Sequence, residues 1–285
     1  MDIRLILSEE GIFPITRDKD GKLLKETPNT GMPYSGTIQG EGKLAGVASL
    51  FIRLAGCNLR CVWRSANGDI SPCDTPHASF HIDHSTSVNI TDILSVIGHN
   101  LGEIKHVVIS GGEPMMQEPS LKELCVRLKS RFGVHITVET NGTIMSEGVL
   151  STIDLVSVSP KLSNSNPTAD KLITLGLESR GVFKMHEKTR LQVDQLRDII
   201  AYSYLHGKDI QLKFVVASAS DEAEIKAILG QLPTVEPADI LIMPLGGNSA
   251  LMHQAQAVAL DMVIRNGWRF SPRLHIDIFG SKQGV

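Results

Sequence analysis

A chain of 285 residues is long enough to bury about three quarters of its unfolded surface, so it needs no disulfides to hold a core. Its 28 Lys and Arg against 31 Asp and Glu give a net charge of −3, without the basic surplus that phosphate binding uses, so a nucleic-acid partner is not expected. No apolar run approaches the ~18 residues that span a bilayer, and MDIRLILSEEG at the start carries acids straight after a short apolar run, unlike a signal peptide.

Residues 1–36 mix short apolar runs with turns, notably Asp18-Lys19-Asp20-Gly21, and read as an N-terminal embellishment without catalytic content. Gly36-Thr-Ile-Gln-Gly-Glu-Gly42 follows, a loop whose glycines let backbone approach a ligand. Ala48–Leu54 is a strand that delivers Arg53 and a cysteine-rich stretch at its C-terminal end. Beyond it the pattern alternates: helix Thr91–His99, strand Ile104–Ser110, helix Ser120–Arg131, strand Val134–Thr140, helix Met145–Ser151, strand Ile153–Ser159. Helix Gln192–Leu205, strand Ile210–Ala217, helix Ser220–Leu232, strand Ile240–Met243 and helix Ala250–Asn266 continue it. Such alternation predicts a mostly parallel α/β sheet with crossover helices, and the lack of a linker or repeat predicts one domain over residues 1–285.

Ligand-binding residues gather at the C-terminal ends of parallel strands. Here those ends carry Gly111-Gly112-Glu113-Pro114, Glu139-Thr140-Asn141-Gly142, Ser159-Pro160-Lys161 and Met243-Pro244. Each alone suits an ordinary strand-to-helix turn; four in one chain point to a site. Cys125, with Leu121, Leu124 and Leu128 at helical spacing, is core packing. His77, His81 and His84 read as loop histidines and Lys184–Arg190 as a solvated insertion, while Lys213 could face the site or solvent.

The stretch Arg53–Thr75 holds Cys57, Cys61 and Cys73, three of the four cysteines. Closely spaced thiols in a chain with no secretory features are better read as metal ligands than as disulfide partners. Three is one fewer than an iron–sulfur cubane usually takes, which leaves an open position of the kind catalytic metal sites keep. A zinc site of the three cysteines and His77 is the alternative that ligand type allows.

Cys57-Asn-Leu-Arg-Cys61 resembles the cluster loop of radical S-adenosylmethionine (SAM) enzymes, whose pattern is C-x3-C-x2-C. Eleven residues separate Cys61 from Cys73 where two are usual, yet Val62-Trp63 and Asp74-Thr75 read as the two halves of an interrupted C-x-W-C-D-T. Arg64–Pro72 is accordingly expected as an inserted loop, with a turn at Asn67-Gly68-Asp69. The resemblance implies a partial (β/α) TIM-like barrel of the radical SAM type and a [4Fe-4S] cluster on Cys57, Cys61 and Cys73. It further implies SAM contacts from Gly112, Glu113, Glu139, Ser159, Pro160, Lys161, Met243 and Pro244.

A narrower resemblance comes from GTIQGEG, followed by RLAGCN, the closing CDT, KFVV at Lys213–Val216 and the late His275. Together they resemble the 7-carboxy-7-deazaguanine synthase family of the queuosine pathway, lyases that contract 6-carboxy-5,6,7,8-tetrahydropterin to 7-carboxy-7-deazaguanine and release ammonia. This resemblance implies substrate contacts from Gln39, Gly40, Glu41, Arg53, Ser110 and His275. It implies Mg2+ at Thr75, an electron donor such as flavodoxin or ferredoxin, and a cytoplasmic homodimer. An activase that installs a glycyl radical, or a zinc-stabilised binding module, are the alternatives.

Overall fold

The computed structural model describes residues 3–65, 67–179 and 181–285. Its strands are β1 (Arg4–Phe13), β2 (Thr37–Ile38), β3 (Ala48–Leu54), β4 (Val62–Arg64), β5 (Ile70–Pro72), β6 (Thr86–Asn89), β7 (His106–Gly111), β8 (His135–Thr140), β9 (Leu155–Val158), β10 (Asp209–Val216), β11 (Ile240–Pro244) and β12 (Arg269–Phe270). Strands β3 and β7 to β12 pair in chain order, each parallel to the next. Helices Ile90–Asn100, Ser120–Phe132, Val193–Leu205, Asp221–Leu229 and Ser249–Asn266 fall between strands of this series. The sheet stays open, with β12 at one edge and β6 at the other, which is the partial barrel.

Strands buried on both faces read as continuous apolar runs, as Val107, Val108 and Ile109 of β7 do. Helix boundaries follow their capping chemistry. Asn89 accepts the Thr91 N–H at 2.8 Å to open one helix, and Gly133, at φ 63°, closes the next. Leu121, Leu124, Cys125 and Leu128 form the buried stripe of helix Ser120–Phe132. Among the described residues no helix is long and apolar enough to cross a membrane.

The expectation for residues 1–36 fails in part. β1 enters the sheet antiparallel to β3, with Leu7 opposite Leu54 and Phe13 opposite Phe51, and gives Leu5, Leu7 and Ile12 to the core. The interrupted cysteine motif resolves into a hairpin: β4 and β5 pair antiparallel, Val62 opposite Pro72, so Cys61 and Cys73 flank its open end and meet at its base. Ala66, within the expected inserted loop, and residues 1–2 lie outside the described residues.

At the opposite end of the strands, a buried polar chain joins β3, β7 and β8. Ser49 Oγ donates to the Val47 carbonyl at 2.8 Å and so accepts from His106 Nδ1–H at 2.7 Å; His106 Nε2 then accepts from Thr137 Oγ1 at 2.8 Å. The imidazole is neutral, because burial, reinforced by His135, lowers its pKa from 6.5 to about 4. The folded state therefore binds fewer protons than the unfolded one between those values, and stability falls as pH drops through that window by about 3 kcal/mol at most. Urea unfolding should show a midpoint that declines from pH 6.5 toward pH 4, and His106→Gln should flatten part of that slope while lowering the midpoint at neutral pH.

Candidate active site

A cavity of about 310 Å³ opens at the C-terminal ends of the strands, walled by the loops that leave β3, β7, β8, β9 and β11 and by the C-terminal segment. Cys57, Cys61 and Cys73 border one side, and Leu59, Trp63 and Leu245 pack around them. Cys57 Sγ accepts the Leu59 N–H at 3.4 Å, and Cys73 Sγ sits 3.2 Å from Ser79 Oγ and 3.5 Å from Thr75 Oγ1. Burial pushes the Cys57 thiol up to about 11 and the Cys61 thiol further, so thiolates here require a positive centre to hold them. Three thiols at the edge of the cavity, packed by Leu59, Trp63 and Leu245, fit a cluster with one iron left open to a ligand. His77 does not join them: its Nε2 faces Glu10 at 3.2 Å. Among the described residues no three His, Cys, Asp or Glu groups close around a single metal ion.

Gly112 reaches the cavity because its backbone runs against the cysteine loop, where a Cβ would meet the Gly56 carbonyl oxygen at 2.1 Å. Glu113 turns away. Its side chain is wholly buried and absent from the cavity wall, accepting hydrogen bonds from Met115 N–H (3.0 Å), Thr140 Oγ1 (2.8 Å) and Asn141 N–H (2.7 Å). Burial raises its pKa, and those three donors oppose the rise. Glu139, Ser159, Lys161 and Met243 face the cavity, whereas Pro160 and Pro244 do not. The alternation of side chains along an extended chain accounts for both prolines.

Gln39, Gly40, Glu41, Arg53, Ser110, His275 and Thr75 all line the cavity. Gln39 Nε2 donates to Glu139 at 3.1 Å while its Oε1 accepts the Glu41 N–H at 3.2 Å. Glu41 is ion-paired with Lys213 and, at 2.9 Å, with Arg273. Burial works against the charge on Glu41, but Lys213, Arg273 and His275 outweigh it and hold the carboxyl well below the usual range. Arg273 also donates to Asp74 at 2.9 Å and to the Gly246 carbonyl, so it spans three loops. Asp74, half-exposed into the cavity, is likewise kept ionised: burial opposes the charge and Arg273 offsets it. His275 is held toward its neutral form, by burial first, with Glu41 pulling the other way. Gly40 permits its approach, since a Cβ there would fall 2.0 Å from Nδ1.

Arg53 is not free. Its Nε is paired with Glu10, and its guanidinium lies 4.9 Å from the centroid of the Phe13 ring. Phe13 itself lines the cavity, so the N-terminal strand contributes to the site. Residues Gly280–Val285 line it from the other terminus, and Asn29 Nδ2 donates to the Gln283 carbonyl at 2.8 Å. Arg273, Asp74 and this tail are the parts that sequence reasoning left out, and Lys213, left open between site and solvent, faces the cavity. Lys213 could have been found from β10, where it stands on the same face as Val215, opposite the cavity-lining Met243 of β11.

The family model of the radical SAM superfamily matches residues 51–162. The 7-carboxy-7-deazaguanine synthase of Halobacterium salinarum is 36% identical over 251 residues, covering 85% of this chain and 87% of that protein. The synthase of Rhodopirellula baltica is 35% identical over 247 residues, covering 87% and 85%. The crystal structure of QueE from Escherichia coli shares the fold, with a TM-score of 0.56 at 23% identity over 91% of this chain and 93% of that one.

Removing the buried carboxylate in Glu113→Ala leaves three donors without an acceptor, each costing about 1–3 kcal/mol. Urea unfolding should report a loss of about 3 kcal/mol or more. Unchanged stability with abolished SAM binding would instead make Glu113 a ligand contact.

Proposed function

Because the chain belongs to the 7-carboxy-7-deazaguanine synthase family of radical SAM enzymes, we propose that it converts 6-carboxy-5,6,7,8-tetrahydropterin to 7-carboxy-7-deazaguanine with release of ammonia. One observation carries the reading to this chain. A single cavity wall bears three thiols on one side and Gln39, Glu41, Arg53 and His275 on the other. Cys57, Cys61 and Cys73 would hold the [4Fe-4S] cluster, and Gly112, Glu139, Ser159, Lys161 and Met243 would bind SAM beside it. When bound, cluster and SAM supply the radical that takes a hydrogen atom from the pterin.

The remaining work is binding and orientation. Glu139 suits the vicinal hydroxyls of a ribose, since a carboxylate accepts two hydrogen bonds. Glu41, kept ionised, and Gln39 offer acceptors to the N–H edge of a pterin. Arg53, held through Nε by Glu10 and by the Phe13 ring, has its terminal nitrogens for the substrate carboxylate. Ser110 and His275 complete the substrate wall. The Thr75 hydroxyl would give one oxygen to Mg2+, a cation that keeps most of its waters and takes the rest from substrate. Tail residues Gly280–Val285 would limit water access. The unbroken strand–helix alternation supports a single domain, and the family resemblance supports a reductant such as flavodoxin or ferredoxin, a homodimeric state and a cytoplasmic location.

Cluster-loaded, reduced protein incubated anaerobically with SAM and the pterin should yield both 5′-deoxyadenosine and 7-carboxy-7-deazaguanine. Deoxyadenosine without the deazapurine would reassign the substrate; neither product from protein that carries iron and sulfide would remove the catalytic reading. Arg53→Ala should cost about 1.5–3 kcal/mol of pterin binding, at least tenfold in KM, and leave SAM affinity nearly unchanged. Equal loss of both ligands would make Arg53 a structural residue.

A further inference from the structure

Cys61 is the cysteine that an interrupted motif should hold least well. In the uninterrupted pattern two residues separate it from the third cysteine; here a hairpin of eleven residues intervenes. Yet Cys61 is only 7% exposed, and the backbone on both sides of it is bonded to buried side chains from the segment beyond β9. On one side, the Arg60 N–H donates to His186 Nδ1 at 3.1 Å. On the other, the Val62 carbonyl accepts from Lys171 Nζ at 2.8 Å.

Both side chains are themselves fixed. His186 is 0% exposed. Ser165 Oγ donates to the Leu162 carbonyl at 2.7 Å, so it receives the proton of His186 Nε2 at 3.2 Å, which leaves Nδ1 as the acceptor for Arg60. Lys171, 6% exposed, spends its other two N–H groups on the Asn164 and Asn166 carbonyls at 2.7 and 2.8 Å. The helix Val182–Thr189, which carries His186, is tied at its end by Arg190 to the Lys161 carbonyl at 2.7 Å and to Glu224 at 2.9 Å. The segment read from sequence as a solvated insertion is thus anchored, with its histidine turned inward. Arg60 secures two further carbonyls of the loop, donating to those of Cys57 and Leu59 at 2.7 Å each.

We propose that Lys171 and His186 are positioning residues that clamp the backbone on either side of Cys61, replacing the constraint that a third cysteine after two intervening residues would supply. The inference rests on the reading of Cys57, Cys61 and Cys73 as cluster ligands. Each hydrogen bond engages a backbone group next to a ligand, so the clamp acts on ligand placement rather than on the reaction.

The test uses the full chain, reconstituted anaerobically, with iron and sulfide per chain, the rate of iron release to a chelator, and the unfolding midpoint of the cluster-free protein as readouts. His186→Asn keeps an acceptor where Nδ1 stood; His186→Gln moves the amide to the position of Nε2 and leaves the Arg60 N–H without a partner; Lys171→Met removes the bond to Val62. The His186→Gln and Lys171→Met variants should lose iron about tenfold faster than the unaltered chain, and His186→Asn should lose it at close to the unaltered rate. Because His186→Gln strands the Arg60 N–H and His186→Asn does not, the cluster-free unfolding midpoint of His186→Gln should lie at or below that of His186→Asn. Iron release at the unaltered rate in His186→Gln and Lys171→Met would overturn the clamp, as would equal acceleration in His186→Asn and His186→Gln. Cys61→Ala separates the two readings: if it keeps a full cluster, the ligand assignment fails, whereas its loss beside intact His186→Gln and Lys171→Met clusters defeats the clamp alone.

Discussion

The cavity depends on one buried carboxylate. Glu113 follows β7, yet its oxygens are bonded to Thr140 and Asn141 at the end of β8, and its own N–H donates to the Gly56 carbonyl after β3 at 2.8 Å. Three adjacent strand ends are thereby locked at a common height. Asn141 extends the lock by donating to Asn58 Oδ1 at 2.9 Å, which places the second residue of the cysteine loop. A carboxylate deprived of water must be satisfied by protein donors, and Glu113 has three. Its cost of burial is what makes the arrangement specific, since any shift of β7 against β8 strands a charge.

Electrostatics arranges the other half of the cavity. Lys213 and Arg273 bring two cations to Glu41, while Glu139 lies 4.0 Å from Lys213 and Asp74 lies on Arg273. Each charge has an opposite neighbour, so the group is nearly balanced despite its burial, which a lone ion there could not be. Arg273 joins the Gln39–Glu41 loop, the Asp74–Thr75 segment and the loop after β11 through one planar fork. A disturbance at Asp74, next to Cys73, is therefore felt at Glu41.

Much of this was legible in the chain, and the misreadings have physical causes. Strands from β3 onward were visible because burial on both faces gives unbroken apolar runs, and their C-terminal ends named Ser110, Gly112, Glu139, Ser159, Lys161 and Met243, all of which face the cavity. Pro160, Pro244 and Glu113 lie beside those positions but turn from the cavity wall, a parity that motif reading ignores. β1 was hidden because its partner β3 lies some forty residues away and Glu9 and Glu10 break its apolar pattern. Lys184–Arg190 is polar in composition, but His186 and Arg190 sit four apart on one helical face and are the two that turn inward. Composition reports the exposed face of such a helix; only spacing reports the buried one.

The site is closed by parts of the chain that are far apart in sequence. Glu10 and Phe13 steady Arg53 from the first strand, Asn29 holds the tail at Gln283, and Leu274 N–H donates to the Gly40 carbonyl at 2.9 Å to bring His275 in. The cysteines sit on the β3 loop and one hairpin, and the backbone beside Cys61 is bonded to Lys171 and His186, more than a hundred residues further on. The polar wall needs both termini docked on the sheet. The thiol side is thus held by the segment that follows β9, while the polar side is complete only when the last strand and the tail have joined. Long-range pairing of that kind forms late, because its loop-closure entropy is lost before its contacts are gained. The two halves of the cavity thus differ in how they are held, the cluster side by a clamp from the segment after β9 and the polar side by the two termini.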